Sequence, residues 1–231
     1  MLSKEKMEEI YEIHREMQNK FKATNPKGEL ITYLEKEFIV YPSVFHPSLD
    51  SMALVQSFNI SKGDKVLDLC TGSGVIAIFS ALKGASKVIA LDINPQAIKC
   101  VKENAKRHNV EEIIDAKVSD MFSALENPEK YLNMFDVITI NPPFTPHIAK
   151  TYEERTMWDQ DLNVHKVFFR NLDKYLAKNG RAYISHAAFG AVDEMKEMAI
   201  KADFKVTLLS KKKIDDIRTF FAFELTRNII L

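Results

Sequence analysis

Cysteine is scarce. Cys70 and Cys100 are the two in 231 residues, and they form neither a zinc spacing nor a disulfide framework. Cys70 falls in an expected buried strand and Cys100 on an expected helix, so both read as reduced packing residues. No run of about 20 apolar residues is present, so a membrane-spanning helix is not expected. The charged segment Met1 to Lys20 lacks the makeup of a secretory signal. An excess of one charge is missing too, since 32 Lys plus Arg balance 32 Asp plus Glu. Without a global field, electrostatically driven non-specific binding of nucleic acid is not expected, although a local basic face stays open. Nothing resembles a metal site, an internal repeat or a low-complexity segment. The expectation is a cytoplasmic protein with no membrane partner.

What is present is organised around Lys65 to Ser80, KVLDLCTGSGVIAIFS. Val66 to Cys70 reads as a buried parallel strand, broken at Thr71-Gly72-Ser73-Gly74 and followed by a helix from Val75. Gly72 and Gly74 let the backbone turn tightly and approach a ligand, while the new helix offers its free N–H groups. Alone, G-x-G-x-x-A is a weak signal. It gains meaning from Asp92, at the end of a second apolar run, Val88 to Leu91. An acid about 20 residues past the first glycine is where nucleotide-binding sheets grip ribose hydroxyls.

In chain order, residues 1–46 read as an N-terminal helix-and-hairpin extension and 47–231 as one α/β domain. Ser3 to Phe21 carries apolar residues at helical spacing. It is either a helix packed on its own domain or a substrate-docking or dimer helix, so monomer and dimer both stay open. Leu30 to Tyr41 suggests a hairpin turning near Glu35-Lys36, and Leu49 to Phe58 a short helix. From Lys65 strands and helices alternate, as a doubly wound, mostly parallel sheet requires. Asn94 is placed to cap a helix that starts at Pro95. Strands are expected at Ala116 to Val118, Phe135 to Ile140 and Arg181 to Ala187. A helix over Leu162 to Leu176 is expected to end at Asn179-Gly180, and another runs over Glu194 to Ala202. Lys205 to Leu209 and Phe220 to Leu225 should pair as a C-terminal antiparallel hairpin, joined through charged Lys211 to Arg218.

The second motif is Asn141-Pro142-Pro143-Phe144, where the fourth strand ends. Ligands gather at the carboxyl ends of strands in open parallel sheets. Two prolines stiffen the loop, so the Asn141 side-chain oxygen and a neighbouring carbonyl become two fixed acceptors. Such a pair suits an –NH2 group, and Phe144 suits stacking on a flat substrate. The bland alternative is a proline-rich loop that merely ends a strand.

VLDLCTGSG, ALDINPQAI, VSD and FDVITINPPF together resemble the class I S-adenosylmethionine-dependent methyltransferases. Within these the chain looks like the amino-methylating branch whose fourth strand ends N-P-P-Y or N-P-P-F. That branch includes release-factor-type protein glutamine methyltransferases and exocyclic-amino methyltransferases of RNA or DNA bases. The resemblance covers about Phe38 to the C-terminus and implies a seven-stranded Rossmann-like sheet. By resemblance, S-adenosyl-L-methionine is the cofactor, with Asp68, Thr71, Gly72 and Gly74 at its methionine part. Asp92 would hold the ribose hydroxyls, Asp120 with Met121 would contact adenine, and Ile93 and Asn141 would also line the cofactor. Asn141 and Pro142 would hold the target nitrogen, with Pro143 and Phe144 beside the substrate. The substrate stays open between a protein glutamine, an RNA or other nucleobase, and a small-molecule amine or amide.

Three departures bear on the site. Cys70 replaces the usual glycine after D-L. Pro47-Ser48-Leu49-Asp50-Ser51 stands where glutamine methyltransferases carry P-R-P-E-T-E, leaving Asp50 and Ser51 to cap the cofactor site. Tyr152 to Asp161 replaces the family's glycine-rich segment. His147 is a candidate substrate contact, Trp158 either a lid or a packing residue, and His165 a packing histidine. Lys211-Lys212-Lys213 reads as a solvated turn or, more sharply, an RNA phosphate contact. A nicotinamide-dependent oxidoreductase or a non-catalytic nucleotide-binding module shares the glycine turn, but neither accounts for Asn141 to Phe144.

Overall fold

The computed structural model describes residues 3–228. Seven strands form one sheet in the order β5-β4-β3-β6-β7-β9-β8. These are β3 (Lys65–Leu69), β4 (Lys87–Asp92), β5 (Ile114–Val118), β6 (Phe135–Ile140), β7 (Leu176–Ala187), β8 (Phe204–Lys213) and β9 (Thr219–Arg227). β9 runs antiparallel to both β7 and β8, inserted between them, while β3 to β7 pair in parallel. The expected doubly wound α/β sheet with an antiparallel C-terminal hairpin is thus what forms.

Helices cover both faces. α2 (Leu49–Ser57), α3 (Val75–Leu82) and α4 (Pro95–Arg107) close one core, built on Leu54, Ile76, Ile98 and the strand residues Val66, Val88 and Val137. After the short α5 (Tyr152–Arg155), α6 (Asn163–Tyr175) and α7 (Val192–Lys201) close the other, with Phe168, Leu172 and Met195 against Leu67, Ile138 and Ile184. Asn94 caps α4 by accepting the Gln96 N–H at 3.0 Å, with Pro95 in the first turn.

The N-terminal segment forms α1 (Lys4–Lys22), capped by Ser3, then β1 (Glu29–Tyr33) and β2 (Lys36–Val40). Leu34 and Glu35 both take positive φ (48° and 62°), the left-handed pair that a two-residue hairpin turn needs. The hairpin is tied to the main domain by Asn104 of α4. Its side chain accepts the Ile39 N–H at 2.7 Å and donates to both Ile39 O and Ser73 O at 2.9 Å. Hairpin and glycine turn are therefore held by one side chain.

Three element boundaries differ from expectation. α6 ends at Tyr175, one residue short of the expected Leu176, but Asn179-Gly180 lies inside β7 instead of marking the helix stop. Leu176 already pairs with Phe135, so β7 starts there, with a bulge before Arg181. Second, Lys211 to Lys213 lie within β8, paired with Phe221, Phe220 and Thr219, not in a solvated turn. Third, β3 ends at Leu69. Cys70 lies just beyond it at φ 54°, half-buried, and is the first residue of the glycine turn.

Candidate functional site

The strand order reverses between β3 and β6, and the crevice at that switch point lies at their carboxyl ends. A cavity of about 590 Å³ opens there. Its wall brings together Thr71, Gly72, Asp92, Ile93, Asp120 and Met121 from the first half of the sheet. The opposite side is Asn141, Pro142, Pro143 and Phe144, with Asp50 and Ser51 contributed by α2. The two motifs, distant in sequence, face one space.

The glycine turn is open to that space. Gly72 sits at φ 54°, and nothing lies within 4 Å of where a Cβ would project from it. Its N–H donates to Asp92 Oδ2 at 2.8 Å, while Asp92 Oδ1 accepts the Asn94 N–H at 2.9 Å. Burial pushes the Asp92 carboxyl above its ordinary range, and these N–H donors pull it back. The carboxylate is thereby fixed at the cavity edge.

Two of the expected cofactor residues, Asp68 in β3 and Gly74 in the turn, do not line the cavity. Asp68 is fully buried beneath the turn, accepting the Thr71 hydroxyl at 2.6 Å and the Thr139 hydroxyl at 2.8 Å. Desolvation raises its pKa to about 7. Gly74 packs α3 onto α4. At φ 85°, a Cβ there would meet Val101 Cγ2 at 3.0 Å. Both belong to the scaffold of the turn and not to the cavity wall.

Asn141 is held at both ends of its amide. Its Nδ2 donates to Asp50 Oδ2 at 3.3 Å, and its Oδ1 accepts the Ser185 hydroxyl. A carbonyl oxygen has two lone pairs, so Oδ1 keeps one for a ligand. Asp50 is itself held by the Ser48 hydroxyl at 2.7 Å and the Ser51 N–H at 2.6 Å, and burial raises its pKa. Ser51 is on the wall, but its hydroxyl is spent on Ser48 and Tyr33 in the cap of α2. Asp50, not Ser51, is the cap residue that reaches Asn141.

α1 and the loop after Phe144 form the roof, a feature that only half emerges from the sequence. Ile10, Ile13, His14 and Met17 line the cavity. The buried Trp158 indole donates to His14 Nδ1 at 3.2 Å, latching loop to helix. Burial and the neighbouring His147 lower the His14 pKa to about 4, so it stays a neutral acceptor. Of the two readings of α1, packing on its own domain accounts for its buried face. His147 is not part of the cavity wall; its ring packs on Trp158 and Tyr11, at 4.2 and 4.8 Å between centroids. His165 packs on the domain as expected but is fully buried, with a partner that the sequence did not suggest, Asp159. Ser185 and Asp159 are the polar residues that motif reading missed. Neither sits in a recognisable pattern.

The donors and acceptors suit S-adenosyl-L-methionine. An open glycine wall, a fixed acid and an apolar niche at Ile93 and Met121 stand together in one cavity. Fold and site define a class I methyltransferase. The description "Methyltransferase small domain" matches residues 35–213, and the chain belongs to that family of S-adenosylmethionine-dependent enzymes. A putative protein N5-glutamine methyltransferase of Methanocaldococcus jannaschii is 33% identical over 186 residues, 76% of this chain and 88% of that protein. A release factor glutamine methyltransferase of Thermodesulfovibrio yellowstonii is 30% identical over 78% of this chain, which spans 63% of that protein. In fold, the chain resembles the ribosomal protein L11 methylase of Lactobacillus delbrueckii subsp. bulgaricus. The TM-score is 0.59 at 17% identity, covering 82% of this chain and 84% of that one.

Proposed function

We propose that the protein transfers the methyl group of S-adenosyl-L-methionine to a nitrogen atom, as in the N-P-P-F/Y branch. One observation carries this reading: Asn141, clamped by Ser185 and Asp50, lines the same cavity as the Gly72–Asp92 pair. When bound, the cofactor supplies a methyl group on positively charged sulfur, already activated for transfer.

The chain's residues then align and enclose. Asp92 accepts the ribose hydroxyls, the Thr71–Gly72 backbone holds the methionine part, and Ile93, Asp120 and Met121 border adenine. Ser51 holds the end of α2 in place, and Asp68 and Gly74 hold the turn. Asn141 Oδ1 and the Pro142 carbonyl accept the N–H groups of the acceptor and aim its lone pair, a gain from orientation. Asn141 is no base; the proton leaves a nitrogen that becomes acidic as it is alkylated. Pro143 and Phe144 form the acceptor wall beneath α1. A nicotinamide oxidoreductase would have no use for the clamped amide, and family membership favours methyl transfer.

Calorimetric titration with S-adenosylhomocysteine against NAD, followed by labelled-methyl transfer, tests the reading. Asn141→Ala should bind S-adenosylhomocysteine within about threefold of wild type while turnover falls on the order of 10²-fold. Transfer at the wild-type rate by that variant would remove the proposed role.

A further inference from the structure

Asp159 stands beside the Asn141 to Phe144 loop without a part in the function described so far. It lines the cavity and is 4% exposed. Its N–H donates to Thr145 O at 2.9 Å, and Thr145 N–H donates to Met157 O at 3.2 Å, so the segment is zipped to the residue following Phe144. The carboxylate accepts the Val164 N–H at 3.0 and 3.1 Å and pairs with His165 Nδ1 at 3.0 Å. His165 is fully buried, and its Nε2 has no hydrogen-bond partner among the described residues. Just beyond, Asp161 and Leu162 both take left-handed φ (56° and 54°), a costly pair for residues other than glycine. The strained link lets α6 begin where it can present Val164 N–H and His165 to the same carboxylate.

A carboxylate oriented by three contacts retains acceptor capacity, since its two oxygens offer about four lone-pair sites. Asn141, Pro142 and Asp159 all line the cavity, so three kinds of oxygen are available to an acceptor there: an amide oxygen, a backbone carbonyl and a carboxylate. An amide or an exocyclic base amino group brings two N–H bonds, which the first two oxygens already satisfy. A primary ammonium brings three donors and a positive charge. From this match we infer that the acceptor nitrogen is a primary alkylammonium, with Asp159 as the group that receives its third N–H. His165 is a positioning residue, holding the carboxylate in place through Nδ1–H.

This inference rests on the N-methyltransferase reading and narrows its substrate class. An ammonium has no free lone pair and cannot attack. One N–H bond breaks and its proton forms an O–H bond on Asp159, leaving the electron pair on nitrogen and a neutral carboxylic acid. Asp159 returns that proton to solvent when product leaves. The buried neighbour His186, held neutral with its pKa down to about 3, offers no competing positive charge.

The test uses the full chain saturated with S-adenosylhomocysteine, which reports binding apart from turnover. Calorimetric titration with a straight-chain primary alkylamine should give saturable binding. Asp159→Asn should weaken it on the order of tenfold to a hundredfold, with S-adenosylhomocysteine affinity within about threefold of wild type. His165→Gln should weaken amine binding less and shift its pH dependence. In parallel, wild-type enzyme with labelled cofactor is offered small primary amines, a lysine-bearing protein, a glutamine peptide and amino-bearing nucleosides. Label in the first group, or in the lysines of the second, supports the inference and identifies the source of the ammonium. Label only in amide or base nitrogens overturns it, as does unchanged amine affinity in Asp159→Asn. Should that variant fail to fold, the wild-type panel decides alone. Failure of S-adenosylhomocysteine to bind, or methylation of oxygen or carbon, would instead overturn the N-methyltransferase reading itself.

Discussion

The Ser185 hydroxyl on β7 donates to the Asn141 side-chain oxygen just past the end of β6. Asp50 decides which way the amide faces by accepting from Nδ2 at 3.3 Å. With the amide reversed, its oxygen would face the Asp50 carboxylate, acceptor against acceptor. Ser185→Ala should therefore leave S-adenosylhomocysteine affinity unchanged and lower kcat by roughly tenfold, the worth of about one hydrogen bond. Single-turnover kinetics beside calorimetry checks this; a fall in cofactor affinity of the same size would show that Ser185 serves the other half of the site.

Asp92 answers two backbone N–H groups, those of Gly72 and Asn94, before any ligand arrives. Asp92→Ala orphans both and removes the acid from the cavity edge. Binding of S-adenosylhomocysteine should fall at least tenfold, and stability by about 1.5–3 kcal/mol, the range for hydrogen bonds to charged groups. Urea unfolding with and without ligand separates the two losses.

Cys70 holds a left-handed backbone, φ 54°, at the start of the glycine turn, with its sulfur 3.9 Å from Met121 Sδ. A β-branched side chain is a genuine outlier in that region. Cys70→Val should destabilise the fold by about 1–3 kcal/mol. Cys70→Gly should stay within about 1 kcal/mol of wild type, because relief of the backbone offsets lost contacts and added chain entropy. Thermal denaturation of both variants reads the difference.

The latch of Trp158 on His14 is sensitive to acid. Burial and the neighbouring His147 lower the His14 pKa from 6.5 to about 4, so the folded state resists a proton that the unfolded chain accepts. The stabilisation from a neutral His14 is complete above pH 6.5 and is lost as the pH falls toward about 4. Asp68, raised to about 7, works the opposite way across much of that window, so the whole protein's curve is a sum. The comparison of wild type with His14→Gln isolates the latch. The gap in melting temperature between them should narrow as pH drops from 7 to 4.5, and a constant gap would mean that His14 titrates freely.

The strands and helices were largely legible because each rests on neighbours in sequence. Phe135 to Ile140 is mostly apolar, Asn94-Pro95 is a local start signal, and both appear where expected. Asn179-Gly180 looks like a helix stop signal, yet it lies inside β7. Burial of Leu176 beside Phe135 outweighed it and turned the chain into β7 earlier. The lysines at 211–213 went the same way, drawn into β8 by pairing with β9.

By itself, the sequence determined the doubly wound order and the two motifs at the strand ends. Asp92 follows Gly72 by one strand-helix unit, and Asn141 closes its own strand, so local pattern suffices to bring both to the crevice. Only the tertiary structure decided what clamps and encloses those motifs. Asn141 meets Ser185 and Asp50 across 44 and 91 residues, and Trp158 meets His14 across 144. Such pairs leave no periodicity behind. They form because a buried amide, carboxylate or indole N–H must find a partner once the sheet has removed it from water.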